Sequence, residues 1–183
     1  MITRDEALEL FRKYNKSESL YHHALCVEAV MRAFAREKGE DEDYWGITGL
    51  LHDNDWEMFP EEHCRKAPEL LKEINTPDDM IHAVCSHGWG LVSDVEPERD
   101  MEKILYAVDE LTGLVYATAL MRPEKMNGMS VKSVKKKWSS KSFAAGVNRD
   151  VIEKGSEMCG IPKEHLIEVT IGALASIAPE IGL

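Results

Sequence analysis

Hydrophobic positions recur at helical spacing along nearly the whole chain. Ala7, Leu8, Phe11 and Tyr14 form the first apolar stripe, and Thr3 with Glu6 makes a capping box ahead of it. A second helix is predicted over 20–38, stopped by Gly39, with an inward stripe of His23, Val27, Val30 and Phe34. A third covers 43–51 and runs into His52-Asp53, and a fourth covers 62–74. Thr76-Pro77-Asp78-Asp79 combines a cap, a proline at the first helical position and first-turn acids, so a fifth helix runs from there to His87-Gly88. The longest apolar helix spans 101–121 and stops before Pro123. Two more are expected, over 148–159 and after Pro162. Strand-like alternation is nowhere convincing, so the pattern predicts an all-α fold.

Length and composition narrow this picture. A chain of 183 residues suits a single domain, 1–183, with a real core, and 44% hydrophobic against 30% charged residues reads as folded rather than disordered. No run of eighteen apolar residues predicts a membrane span, and the N-terminal residues lack the apolar stretch of a secretion signal. The four cysteines (Cys26, Cys64, Cys85, Cys159) are widely spaced, so buried, reduced thiols in a cytoplasmic protein are expected. Net charge is −11, which argues against extended nucleic acid or an anionic membrane as partner. The charge is uneven, however. Between Arg122 and Arg149 eight basic residues face one acid, +7 locally, which leaves −18 for the rest. That stretch is either a solvated surface or a clamp for a small anion.

Three predicted helices each turn a metal-ligand side chain inward. His52-Asp53 ends the apolar run Ile47–Leu51, where a buried carboxylate needs compensation. His23 lies on the apolar face of its own helix, and Asp109 sits among Leu105, Val108, Leu111 and Thr112. Histidines satisfied by backbone carbonyls explain each one singly but explain the four together poorly. Imidazole with carboxylate suits a divalent ion. His63 and His87 can complete a second site, with Asp53 bridging two ions. His22, His82 and His165 lack that context and are expected at the surface or in structural hydrogen bonds.

The order His23, His52-Asp53, Asp109, carried in the strings His23-Ala24-Leu25-Cys26-Val27, Leu50-Leu51-His52-Asp53 and Ala107-Val108-Asp109-Glu110-Leu111, resembles the HD superfamily of metal-dependent phosphohydrolases. His63 with Ala67-Pro68-Glu69-Leu70-Leu71, and Ser86-His87, resemble the additional histidines of two-metal, HDIG-type members. The resemblance covers about 18–120 and implies an HD-type helical bundle, followed by a basic segment and further helices over 121–183. That tail is similar to a subgroup of small stand-alone bacterial and archaeal HD proteins for which the resemblance brings no substrate. Two departures stand out. Asn54-Asp55 replaces the Ile-Gly that usually follows the HD pair, and Gly88 stands where many members have a histidine. The extension found in cyclic-dinucleotide phosphodiesterases is missing.

The resemblance implies one or two divalent ions (Mn, Fe, Co, Ni, Zn or Mg) and a small phosphorylated substrate, a nucleotide first among them. A metal-activated water would attack phosphorus. Lys132, Lys135, Lys136, Lys137 and Lys141 are the candidates for holding phosphate. Besides Asp53, Asp55 and Glu57 are candidates for general base or water orientation, unless they belong to an acidic surface loop. The same ligands serve HD-type di-iron oxygenases, and a non-catalytic nucleotide-sensing domain is the third possibility. Oligomeric state is open, with Trp45, Trp56, Trp89 and Trp138 available to a homo-oligomer interface or a pocket lip.

Overall fold

The computed structural model of the protein describes residues 2–140 and 142–183, so Lys141 lies outside the described residues. Among these, nine α-helices form and no strand does: α1 (Arg4–Tyr14), α2 (Glu18–Lys38), α3 (Glu42–Leu51), α4 (Ala67–Leu71), α5 (Asp78–Ser86), α6 (Asp100–Leu120), α7 (Val131–Trp138), α8 (Arg149–Cys159) and α9 (Lys163–Ser176). No helix among the described residues is long and apolar enough to cross a membrane. The expected capping box opens α1: the Thr3 hydroxyl accepts from Glu6 N–H at 3.3 Å, and the Glu6 carboxylate accepts from Thr3 N–H at 2.7 Å.

The long helices α2 and α6 organise the rest. α2 packs against α3, α6 and α9, and α6 against α8 and α9. Phe34, Leu105, Leu111, Leu114 and Ile152 are fully enclosed between them. The core runs on without a break through Leu166, Ile167 and Ile181. Each large apolar side chain fully removed from water contributes roughly 1.5–3 kcal/mol. A knot of charge ties the N-terminal layer together. The buried Glu28 carboxylate on α2 accepts from Arg4 of α1 (2.7 and 2.9 Å) and from Arg32 (3.0 and 2.9 Å). Arg32 in turn donates to Asp43 on α3 at 2.6 Å.

One contact between long elements is unusually close. A Cβ added at Gly155 on α8 would stand 2.5 Å from the Ala107 Cβ, 2.7 Å from its Cα and 3.1 Å from its N. Only glycine lets α8 lie this near α6, two residues from Asp109.

The helix expected over 62–74 is broken up. Pro60–Glu62 and Lys72–Ile74 are 3-10 turns, and only Ala67–Leu71 is α-helical. Pro68 lacks an N–H and is tolerated only in a first turn, and Cys64 adopts a left-handed φ of 64° that ends any helix before it. The basic segment holds α7, whose Val134 is buried against the core.

Candidate metal centre

Two helices end at the centre in the same way. His52 follows the last residue of α3 and His87 the last of α5. Each ring Nδ1–H donates to the carbonyl three residues back, His52 to Gly49 at 2.7 Å and His87 to Val84 at 2.5 Å. These bonds fix the tautomer and leave Nε2 with its lone pair facing inward. His63 is held by the same logic through a side chain, its Nδ1 donating to Asp55 Oδ1 at 2.8 Å. The rings of His23, His52, His87 and His63 form one chain of edge-on neighbours, with centroids 5.0–5.1 Å apart.

The inward atoms fall into two sets. In the first, His23 Nε2 lies 3.2 Å from His52 Nε2 and 2.9 Å from Asp109 Oδ1, and His52 Nε2 lies 3.4 Å from Asp109 Oδ1. Asp53 Oδ2 lies 3.3 Å from His52 Nε2 and 3.8 Å from His23 Nε2. In the second, His63 and His87 bring their Nε2 atoms within 3.2 Å, and Asp53 Oδ1 lies 3.5 Å from each. A carboxylate thus sits between two imidazole pairs with one oxygen turned to each.

These spacings fit divalent ions. Donors about 2.0–2.1 Å from a common ion lie roughly 2.8–3.4 Å from one another in octahedral or tetrahedral geometry. Three to four donors at such separations, with the Nδ1 atoms of His52, His63 and His87 already engaged, are a donor set suited to Zn, Mn, Fe or Co. The electrostatics have the matching sign. Burial disfavours charge on His52, but the Asp53 and Asp109 carboxylates outweigh it and push the imidazole up to about 10. His63 rises to about 9: burial opposes charge, but the hydrogen bond it donates to Asp55, with the Cys64 contact and the Asp53 charge, together outweigh it. Asp53 and Asp109, despite burial, are held well below the usual carboxylate range by His52 and its neighbours.

Above this floor opens a cavity of about 330 Å³. Its walls are mainly apolar, from Trp56, Leu91, Val92, Val147 and Val151. Among the described residues the one further charged group on the wall is Glu110, whose carboxylate accepts from Asn148 N–H at 2.9 Å. Burial, followed by the Asp109 charge beside it, raises the Glu110 carboxyl above its ordinary range.

His23, His52, Asp53, Asp109, His63 and His87, expected as ligands from sequence, are therefore all brought together. The expected acids and lysines are placed elsewhere. Asp55 is fully buried, with Oδ1 on His63 and Oδ2 accepting from Ala67 N–H at 2.9 Å, so it positions a ligand and has no oxygen free for water. Glu57 accepts from the Lys16 and Ser17 N–H groups at 2.8 and 3.0 Å and secures the start of α2. No lysine or arginine lines the cavity among the described residues. Lys135 pairs with Glu164 on α9 at 2.6 Å, Lys137 lies over the Phe143 ring, and Lys132 and Lys136 are exposed. The cause is helical geometry: α7 turns Val134 to the core, which directs the lysines outward. Lys141 lies outside the described residues. His82 pairs with Glu102 and His165 with Glu37, in keeping with structural roles.

Two groups at the centre carry little signal of their own in the sequence. Glu110 follows Asp109 directly, and its only signal was that adjacency. Cys64 follows His63, and the left-handed φ at Cys64 is what turns both side chains to the same side. Burial pushes its thiol up, but the His87 and His63 rings more than offset this and bring it down to about 7. Comparison with known proteins found no matching family model, no similar curated protein and no similar solved structure.

Proposed function

We propose that the protein is an HD-type, two-metal phosphohydrolase acting on a small phosphate monoester. The observation that carries this reading is Asp53, whose two oxygens face two separate sets of nitrogen donors. In this reading His23, His52, Asp109 and Asp53 hold one ion, and His63, His87 and Asp53 hold the other. Divalent ions there would supply an activated water and neutralise charge on a phosphoryl oxygen.

The chain's own residues supply position and shape. The Gly49 and Val84 carbonyls and the Asp55 carboxylate hold three rings with Nε2 inward. Trp56, Val147 and Val151 offer an apolar surface to the part of the substrate beyond phosphorus. A cavity near the small end for ligand sites, with no basic residue on its described walls, favours one phosphate on a flat or apolar alcohol. A nucleoside monophosphate fits that description better than a triphosphate, whose extra charges would meet Glu110.

The test is metal analysis of the purified protein, followed by a phosphate-release screen with Mn, Co, Fe, Mg and Ni over mono- and triphosphates. Metal-dependent release that favours monophosphates is expected. One observation favours a second reading: an apolar-walled cavity over a histidine–carboxylate floor also suits a di-iron oxygenase. Iron-dependent oxygen uptake without phosphate release would replace the hydrolase reading with that one. Tight nucleotide binding without turnover would indicate a sensing domain.

A further inference from the structure

We propose that Cys64 supplies a thiolate ligand at the position formed by His63, His87 and Asp53, so that the centre has one sulfur-containing, zinc-preferring position and one of nitrogen and oxygen alone. The inference rests on the reading that the centre binds metal ions. Ligand atoms of His63, Cys64 and His87 all lie within 4.8 Å of one another, and all three residues are buried. The Cys64 sulfur is 3.8 Å from His87 Nδ1 and 3.9 Å from Nε2, so it lies beside that ring. With Zn–N near 2.0–2.1 Å and Zn–S near 2.3 Å, tetrahedral geometry places nitrogen and sulfur about 3.6 Å apart. To stand as a fourth donor beside two imidazoles and Asp53 Oδ1, the sulfur swings from the flank of the His87 ring toward its Nε2 end.

Three features set Cys64 apart from an ordinary buried thiol. First, it is the cysteine, among the described residues, whose sulfur contacts ring nitrogens. Cys85 and Cys159 instead donate to the backbone carbonyls of Cys64 and Ser156. Second, room is kept for it: a Cβ at Gly88 would stand 2.7 Å from the Cys64 sulfur. The glycine that departs from the histidine expected after His87 therefore leaves the space the sulfur fills. Third, the two positions differ in donor chemistry. His23, His52, Asp109 and Asp53 offer only nitrogen and oxygen, whereas a thiolate among the donors favours zinc over manganese or magnesium. On binding, the thiol proton passes to solvent and the sulfur–metal bond forms, with no change of oxidation state.

The experiment is cobalt(II) titration of the metal-free full-length protein, followed by absorption spectroscopy. Wild type should bind two equivalents and develop a thiolate-to-cobalt charge-transfer band in the near ultraviolet. Cys64→Ser should lose that band, keep cobalt at the other position and bind zinc at the altered one at least about tenfold more weakly. Cys85→Ser, the control, should keep the band. Zinc X-ray absorption on wild type at one equivalent should show a sulfur neighbour near about 2.3 Å, a measurement that needs no variant to fold. A wild type that binds two cobalt ions without the band, or a Cys64→Ser protein that retains it, overturns the sulfur assignment alone. A wild type that binds no cobalt overturns the metal reading of the whole centre and this inference with it.

Discussion

Replacing Gly155 by alanine tests how tightly the candidate metal centre is braced from behind. In an open helix that change stabilises by about 0.8–1.0 kcal/mol, because glycine carries a larger conformational-entropy cost. Here the new methyl would meet Ala107 at 2.5 Å from Cβ and 2.7 Å from Cα. Ordinary carbon contacts lie near 3.5–4.0 Å, so α8 must retreat by roughly 1 Å or α6 must bend. Backbone cannot rotate away as a flexible side chain can. The strain therefore belongs at the upper end of the about 1–3 kcal/mol typical of overpacking. Set against the propensity gain, the net effect is a loss of about 2 kcal/mol, or roughly 4–8 °C in Tm for a domain of this size. Gly172 on α9 is the internal control, since a Cβ there meets nothing within 4 Å. Gly172→Ala should raise Tm by about 2–4 °C. Urea unfolding of both variants gives the free energies directly. A Gly155→Ala protein as stable as wild type would refute the close α6–α8 contact, and with it the bracing of Asp109 by α8.

Three other changes probe the site and its surroundings. Asp55→Ala should lower zinc affinity at the His63 position by about 10–100-fold in a chelator competition, because the imidazole loses the partner that orients it; unchanged affinity would count against that role. Replacing Lys135, Lys136 and Lys137 together by alanine should leave KM for a phosphate ester unchanged, since none of them lines the cavity; a raised KM would return them to the site. Arg149→Ala removes the donor shared by the Lys137, Ser140, Phe143 and Val147 carbonyls. The carbonyls are only half-buried, so the loss falls at or below about 1 kcal/mol each, and the chain around Phe143 should become open to chymotrypsin while metal content is unchanged.

Which of these features the sequence discloses depends on how regular the local backbone is. His23 and Asp109 are legible because a helix repeats every 3.6 residues, so an isolated polar residue on an apolar stripe must face inward. His52-Asp53 is legible because it ends such a stripe. Cys64 is not, because its placement depends on a left-handed residue, and only glycine or asparagine would have signalled one. The roles of the acids after the HD pair are not legible for a different reason. Their charge is plain in the sequence, but the N–H groups that engage them come from Ala67, Lys16 and Ser17, distant in the chain. The basic run is a case where the pattern held the answer: Val131, Val134 and Trp138 define the inner face of α7, and the lysines fall outside it.

That two helices finish at the same spot has a consequence for the order in which ligands arrive. α3 and α5 both end at the centre, and a helix C-terminus carries about half an elementary negative charge. In the metal-free protein the charge kept on His52 and His63 is offset by Asp53, Asp109 and Glu110, so an anion that enters first finds no net positive charge. Cations must arrive before phosphate can stay, so binding is sequential by construction. In calorimetry, inorganic phosphate should bind the metal-loaded protein and leave the chelated protein silent; equal binding to both would contradict this ordering.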